Sequence, residues 1–407
     1  MPSSNAKSTV ERFSVVPLFV IAFLVQADHL IMVPLTVSIA TDTGISLTHT
    51  GLLISIYPIA AALSAFIFSP YSDRVGRKKM LVFLIAGFCL SSVGCGLANT
   101  ADSMFFFRIL SGVFGGIIIP NALAFVSDIF DGKNKIRAIT TLTLSFPIAS
   151  VLGVPLGAWV SDMTSWRVPF LVIAALSFVG GLFILRFKNI EGCQDKNIIT
   201  QYLELLLLWK DRKIRGIFTV QFLMLIGLFA FVPQIGAWLS LNFQMSTTEI
   251  GLCYMQGGVG AILGNLIARR LLQQNYTESL IVFGSLITAF TLLLLTMEVF
   301  HAQLIGLGFA LTMFGGSIRV PALQTILSNL SSAQLRGRLL SMNMIVANVA
   351  MGLGGLWSLP FLSIESGMLT GMEHIGWVSF ITLCFIPLVI YRIRQQNRLE
   401  MLAEVSD

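Results

Sequence analysis

The chain alternates between long apolar runs and short polar breaks. A run of about 20 mostly apolar residues is long enough to cross a membrane as a helix. The breaks, such as "ATDTG", "ANTAD" and "LSSAQ", contain polar and turn-forming residues. The pattern predicts twelve membrane-spanning helices, at 13–40, 47–70, 80–98, 103–130, 137–161, 167–186, 215–242, 247–269, 278–298, 302–329, 338–364 and 373–393.

Closely spaced spans joined by short loops predict an all-α membrane protein in which the helices run up and down. The strands of a membrane β-barrel would give segments of about 10 residues with alternating polarity, and this alternation is absent from the sequence. The composition agrees with this prediction, because 55% of residues are hydrophobic, only 11% are charged and the mean hydropathy is +0.84.

The basic residues predict the orientation of the chain. If the N-terminus lies in the cytoplasm, the predicted inner loops hold all but three of the 26 Lys and Arg residues. Arg167 lies outside, and Arg108 and Arg319 lie within spans. Cytoplasmic loops of membrane proteins carry this excess of positive charge. We therefore expect both termini to be cytoplasmic, and the bases to face anionic lipid and not a nucleic acid.

The longest polar break, at 187–214, divides the spans into two sets of six. It ends in the amphipathic stretch "IITQYLELLLLWKDRK", which predicts a short helix on the inner face of the membrane. The predicted organisation is an N-terminal six-helix bundle at 1–186, a cytoplasmic linker at 187–214, a C-terminal six-helix bundle at 215–395 and a cytoplasmic tail at 396–407.

The two sets of six spans resemble one another in sequence. The stretch "FGGIIIPNALAFVSDIF" at 114–130 matches "FGGSIRVPALQTILSNL" at 314–330, offset by 200 residues. Each stretch is followed by a basic loop and then by a glycine-rich span. Duplicated halves around a central site are the architecture of secondary transporters.

The stretch "SPYSDRVGRKKM" at 69–80 lies in the predicted inner loop between the second and third spans. It resembles the GxxxDRxGRR/K signature of the major facilitator superfamily, with Ser69 in place of the first glycine. The resemblance extends over the chain through the number of spans, the central linker and the repeat. It implies two pseudo-symmetric six-helix bundles that expose a central cavity alternately to the two sides of the membrane.

The resemblance also implies a gate on the cytoplasmic side, built from Asp73, Arg74, Gly76, Arg77 and Asp128. In the superfamily the aspartate of this loop contacts the start of the eleventh span, where a carboxylate accepts hydrogen bonds from free N–H groups and complements the helix dipole. Gly76 permits a tight turn, and Asp128 at the inner end of the fourth span resembles the acid that pairs with Arg77. Such a cluster joins the two halves and favours the outward-open state.

Two further stretches resemble the drug–proton antiporter branch of the superfamily. "RILSGVFGG" at 108–116 is similar to the arginine motif RxxxGxxxG of the fourth span, and "SVLGVPLGAW" at 150–159 is similar to the Gly–Pro motif of the fifth span, GPxxGG, without matching it fully. The resemblance assigns helix packing to Gly112, Gly116, Gly153, Pro155 and Gly157.

Few ionisable residues lie within the spans, and such residues are candidates for function because they are costly in a membrane. Asp28 lies about 16 Å from the outer end of the first span, and Arg108 about 7 Å from the outer end of the fourth, by helix rise. In the superfamily these two spans line the cavity. We expect Asp28 to gain and lose the coupling proton, and Arg108 to tune it. His29 is either a second proton carrier or a packed histidine.

Arg319 lies midway along the tenth span, where it either extends to the inner surface or faces the cavity. If it faces the cavity, two arginines accompany one aspartate, and an anionic or zwitterionic substrate is favoured. The candidates for hydrogen bonding to a substrate are all amides, which also serve as contacts between helices: Gln26, Asn121, Gln234, Gln256 and Gln324.

The sequence contains no HExxH or GxxxxGK[ST] motif, and its four histidines and five cysteines have no metal-ligand or CxxC spacing. We therefore expect neither an enzyme nor an ATP-driven pump, and no cofactor apart from the proton gradient. The predicted function is export of a small amphipathic compound across the inner membrane, by a monomer embedded in the bilayer. The alternative is proton-coupled uptake of an organic anion or zwitterion, which Arg319 and the incomplete Gly–Pro motif favour.

Overall fold

A computed structural model of the chain describes four stretches of backbone. It describes their side chains except at 4–14, 69–70, 72–73, 198–201, 204, 329 and 333–337. The described stretches are 4–187, 198–274, 276–329 and 333–395.

The described residues contain twelve helical segments that are long and apolar enough to cross a membrane, which confirms the predicted all-α membrane fold. The segments of the first half are Val15–Thr43, Leu47–Phe68, Arg77–Leu97, Ala101–Ile129, Gly132–Met163 and Arg167–Leu185. The segments of the second half are Arg212–Asn242, Thr247–Leu272, Thr277–Thr296, Ala302–Ser328, Arg338–Phe361 and Met372–Gln395. They are called the first to twelfth spans below.

Most spans consist of one continuous α-helix, because a long apolar run satisfies its backbone hydrogen bonds internally. The single helices of the first half are Ser4–Thr43, Thr50–Val75, Arg77–Leu97, Ala101–Ile129 and Arg167–Leu185. Those of the second half are Thr247–Leu272, Thr277–Thr296, Ile305–Asn329 and Ala333–Ser358.

The fifth, seventh and twelfth spans are interrupted. In the twelfth, a turn at Phe385 separates the helix Met372–Cys384 from helical residues 386–395. In the fifth, a π-helical segment at Ala149–Gly153 separates Gly132–Thr143 and Ser145–Ile148 from Val154–Met163. In the seventh, a 3₁₀ turn at Val232–Gln234, which contains Pro233, separates Arg212–Phe229 from Ile235–Asn242. Proline cannot continue the backbone hydrogen bonds of a helix, and π-helical segments often occur at functional sites.

Among the described residues, shorter elements also lie outside the spans. A helix at Ile198–Leu207 falls within the predicted linker, and its Tyr202 hydroxyl donates a hydrogen bond to the carbonyl of Ile67. Between the eleventh and twelfth spans, strand β1 (Ser363–Glu365) pairs antiparallel with strand β2 (Met368–Thr370). The predicted boundaries of the bundles remain a prediction, since residues 188–197 and 396–407 lie outside the described part of the chain.

The helix contacts of one half recur in the other. The fourth span packs on the second and third, and the tenth span packs on the eighth and ninth. The halves are joined mainly where the second span meets the eleventh and the fifth meets the eighth. The offset repeat seen in the sequence therefore corresponds to two six-helix bundles related by the same internal packing.

Two polar contacts join the halves along the fifth and eighth spans. Ser150 donates a hydrogen bond to the carbonyl of Tyr254. Asp162 accepts hydrogen bonds from the backbone N–H and the hydroxyl of Thr248. In the predicted orientation the second contact lies at the outer surface.

Candidate transport site

The first and fourth spans bring a carboxylate and a guanidinium together inside the membrane. Nη1 of Arg108 donates a hydrogen bond of 2.8 Å to Oδ2 of Asp28. Both side chains are 0% exposed. The two residues that the sequence singled out as intramembrane charges therefore form one buried ion pair.

The pair is incompletely hydrogen-bonded. Oδ1 of Asp28 and both Nε and Nη2 of Arg108 lack a partner among the described residues. A buried ion pair is stable only when most of its polar atoms form hydrogen bonds. These free atoms leave the charge state of the pair sensitive to a proton, a water molecule or a bound ligand.

A tyrosine that the sequence analysis missed completes this polar cluster. Cζ of Arg108 lies 5.1 Å from the centroid of the Tyr57 ring. The ring centroids of Tyr57 and His29 are 4.8 Å apart. No intramembrane charge or motif in the sequence marks Tyr57. One tyrosine among many aromatic residues can be recognised as part of the site only from the packing of the helices.

The glycines of "RILSGVFGG" place Arg108 by letting the fourth span approach the second. A Cβ atom added at Gly112 would lie 2.8 Å from Cβ of Ala60, closer than real Cβ atoms come. A Cβ at Gly116 would lie 2.8 Å from Cα of Ala61. Small residues permit such close helix contacts in membranes.

The Gly–Pro stretch of the fifth span packs against the helix that carries Asp28. A Cβ added at Gly153 would lie 3.1 Å from Cβ of Ala27, the residue before Asp28. A Cβ at Gly157 would overlap the side chain of Ile31. Pro155 lies in the first turn of the helix Val154–Met163, directly after the π-helical segment. This stretch therefore supports the backbone around the acid.

The predicted gate is described in part. Nε of Arg77 donates to Oδ2 of Asp128 at the ends of the third and fourth spans. Gly76 connects the second and third spans with a φ of 93°, which glycine adopts without strain. Arg74 is exposed in the last turn of the helix Thr50–Val75. The side chain of Asp73 lies outside the described residues, so its proposed contact with the eleventh span stays a prediction.

Twelve spans, two repeated halves and an intramembrane ion pair agree with the family that the loop signature resembles. A family model described as Major Facilitator Superfamily matches residues 18–355. The chain belongs to the major facilitator superfamily. It is thus a multi-pass membrane transporter and not an enzyme.

Individual proteins of the superfamily resemble the chain at low identity. An uncharacterized MFS-type transporter of Bacillus subtilis (strain 168), YceJ, is 28% identical over 377 residues, which are 90% of this chain and 92% of the relative. Multidrug resistance protein 3 of the same bacterium is 26% identical over 290 residues, or 66% of this chain and 56% of the relative. The crystal structure of a D-xylose-proton symporter matches with a TM-score of 0.72 at 15% identity, covering 94% of this chain and 96% of that chain. The last likeness concerns the fold alone.

In this superfamily member the second half also buries a charge. Arg319 is 1% exposed. Its guanidinium donates to the hydroxyl of Ser285 in the ninth span and to the carbonyl of Met224 in the seventh, both at 3.3 Å. Its Nε donates to the carbonyl of Gly316 at 3.4 Å. These partners are neutral, and none of the described acids forms an ion pair with Arg319.

The five predicted amides lie in different environments. Gln234 donates to the hydroxyl of Ser358 and packs against Gly51, where the two halves meet. Asn121 is buried, and both polar atoms of its side chain lack a partner among the described residues. Gln26 is half-buried, and Gln256 and Gln324 are exposed. Among the described residues, none of these amides forms a hydrogen bond with the Asp28–Arg108 pair. Their contact with substrate stays a prediction.

Proposed function

We propose that this transporter uses the proton gradient to export a small amphipathic organic compound by alternating access. The observation that supports this best is the buried Asp28–Arg108 pair with its free polar atoms. The proposal places the protein in the inner membrane as a monomer, with no bound cofactor.

The pair suits a coupling role for an electrostatic reason. Desolvation disfavours a charged carboxylate and a nearby cation favours it, so the two effects oppose each other at Asp28. A small change in the distance of Arg108, or in access to water, then decides whether Asp28 holds a proton. Such a change accompanies the rocking of the two halves, and it links proton binding to the state of the cavity.

Two observations support export as the direction. The Arg108 and Gly–Pro stretches resemble the drug–proton antiporter branch, and both pack around the pair. The likeness to multidrug resistance protein 3 covers 66% of this chain. Export of amphipathic compounds is therefore the first candidate.

Arg319 favours a second candidate, the proton-coupled uptake of an organic anion or zwitterion. A buried cation in a membrane is costly, and the partners of Arg319 among the described residues are all neutral. A substrate carboxylate would supply that compensation.

Growth of cells that overproduce or lack the protein tests both directions. Export predicts greater tolerance of at least one compound in a panel of amphipathic cations, anions and zwitterions. Asp28→Asn at equal membrane abundance, or a protonophore, should abolish that tolerance. Uptake predicts growth on an organic acid that requires the protein. Normal proton-driven transport by Asp28→Asn would refute the coupling role.

A matched control is available at the outer surface. Asp42 forms a salt bridge of 2.8 Å with Arg167, and both side chains are partly exposed. Asp42→Asn also removes an Asp–Arg pair, but a solvated pair contributes little. We expect this variant to transport normally.

A further inference from the structure

Tyr57 lies at the centre of the buried cluster but has no part in the coupling scheme described above. The residue is 6% exposed and belongs to the second span. It contacts Arg108 through the face of its ring and His29 through a tilted ring contact at 37° between planes. One side chain therefore touches both the cation of the pair and the neighbour of the acid.

The Tyr57 ring is the second stabilising contact of the Arg108 guanidinium. Only Nη1 of that guanidinium bonds to Asp28, while Nε and Nη2 lack partners among the described residues. The attraction between a cation and an aromatic face is strongest where water is excluded. At this site Arg108 is 0% exposed.

This contact matters most when Asp28 is neutral. Protonation of the carboxylate removes the Coulomb attraction that holds Arg108, and a buried cation without compensation is strongly unfavourable. The ring still attracts the guanidinium when Asp28 is neutral, and it then contributes more, because no carboxylate competes for that cation. We propose that Tyr57 is a positioning residue that holds the Arg108 guanidinium in the cluster while Asp28 carries a proton. This inference rests on the proposed coupling role of Asp28.

The packing of the second span keeps Tyr57 in place. Gly112 and Gly115 of the fourth span lie against its backbone carbonyl and its hydroxyl, respectively. Gly352 of the eleventh span packs against Ile59, two residues further along the second span. The ring therefore has little freedom to follow the guanidinium, and it acts as a fixed surface.

Within the part of the chain that the structure describes, few other titratable groups surround this ring. The first span contributes Asp28 and His29, and the fourth contributes Arg108. The third contributes Cys95, whose sulfur lies 3.9 Å from the hydroxyl of Ser111. The eleventh span meets the second through glycines. Replacing Tyr57 should therefore change proton binding mainly at Asp28.

Infrared difference titration of the purified full-length protein in detergent tests the proposal without a known substrate. Subtracting the spectrum of Asp28→Asn identifies the band of the protonated Asp28 carboxyl. Tyr57→Leu should move the half-titration point of this band to lower pH by about one unit, a roughly tenfold change in proton affinity. The sign follows because the protonated state loses the contact that compensates Arg108. Tyr57→Phe keeps the ring and should titrate as the unaltered protein does.

Tyr254 provides a matched control in the second half. It is a buried tyrosine that packs on Phe309 with ring centroids 5.7 Å apart, away from the pair. Tyr254→Leu removes a similar apolar volume and should leave the titration of Asp28 unchanged. If Tyr57→Leu does not fold, Tyr57→Met, which fills more of the space without an aromatic face, is measured in its place.

The outcomes separate the two proposals. An Asp28 band that titrates identically in the unaltered protein and in the Leu or Met variant overturns the role of Tyr57 and leaves the coupling role of Asp28 intact. If no band that depends on Asp28 titrates, the coupling role fails as well. A shift of the same size in Tyr254→Leu would show a general packing effect and would also overturn the role of Tyr57.

Discussion

The carboxylate of Asp162, at the end of the fifth span, accepts two hydrogen bonds from Thr248, at the start of the eighth. The backbone N–H of Thr248 lies 2.8 Å from Oδ2 of Asp162, and its hydroxyl oxygen lies 2.6 Å from the same atom. A carboxylate near the first turn of a helix also complements the helix dipole. This contact ties the two halves together on the side that the sequence places outside.

Removing this contact should loosen the outer side. Hydrogen bonds to charged groups contribute about 1.5–3 kcal/mol, so Asp162→Ala should shift the balance of states roughly tenfold or more towards outward opening. The measurement is labelling from outside, with an impermeant maleimide, of a Ser150→Cys variant that lacks the native cysteines, because Ser150 lies in the same interface.

Asp102→Ala is the control for this labelling, since Asp102 is an exposed acid at the start of the fourth span. Labelling at position 150 that is equal in Asp162→Ala and Asp102→Ala would rule out the outer contact as a determinant of the closed state.

The buried pair should also affect stability. Asp28→Asn leaves Arg108 buried without a counter-charge, which costs roughly 3–5 kcal/mol in comparable sites. The protein should remain folded but unfold at lower temperature in detergent. The double variant Asp28→Asn, Arg108→Gln removes both charges and should recover part of the loss. A double variant that is less stable than Asp28→Asn alone would show that the residues do not act as a pair.

The predicted inner gate gives a third test. Asp73→Asn should weaken the junction between the halves on the cytoplasmic side and shift the resting state towards inward-open. Labelling of Gln324→Cys, in a background without native cysteines, should then rise in inside-out vesicles. Asp131→Asn, in the next inner loop, is the control. Unchanged labelling would mean that the signature aspartate does not hold the gate in this protein.

The repeated "FGG" stretches provide a matched pair of glycine substitutions. Gly116 packs against Ala61, whereas a Cβ added at its repeat mate Gly316 would meet no atom within 4 Å. Gly116→Ala should overpack the contact between the second and fourth spans and cost about 1–3 kcal/mol. Gly316→Ala should be tolerated. Thermal unfolding in detergent compares them, and equal losses would contradict the close packing of the fourth span.

Arg319 separates the candidate substrates. If it compensates a substrate anion, benzoate should raise the unfolding temperature of the unaltered protein. Arg319→Gln should need about tenfold more benzoate for the same rise. Ser285→Ala removes one neutral partner and should change this response little. A response to benzoate that is the same in Arg319→Gln would exclude Arg319 from anion binding and weaken the uptake hypothesis.

The sequence predicted much of the candidate site because its signals are local. An acid or an arginine within an apolar run is visible without knowledge of its neighbours, so Asp28, Arg108 and Arg319 were identified together with the spans that carry them. The spacing of Gly112 and Gly116 likewise marked a close helix contact. The partner of that contact, and the different surroundings of Gly116 and Gly316, were not visible, because both glycines lie in the same three-letter pattern.

The number of spans, their approximate ends, the repeated halves and the residues that carry intramembrane charge can all be derived from the sequence alone. The length of an apolar run decides whether it crosses a membrane, whatever it packs against. The packing of the helices was needed to show that Asp28 pairs with Arg108, that Tyr57 lies over the guanidinium and that Asp162 bonds to Thr248. Those contacts join helices remote in sequence, and helices surrounded by lipid and by one another are apolar on most faces, so their pattern does not reveal which face meets which neighbour.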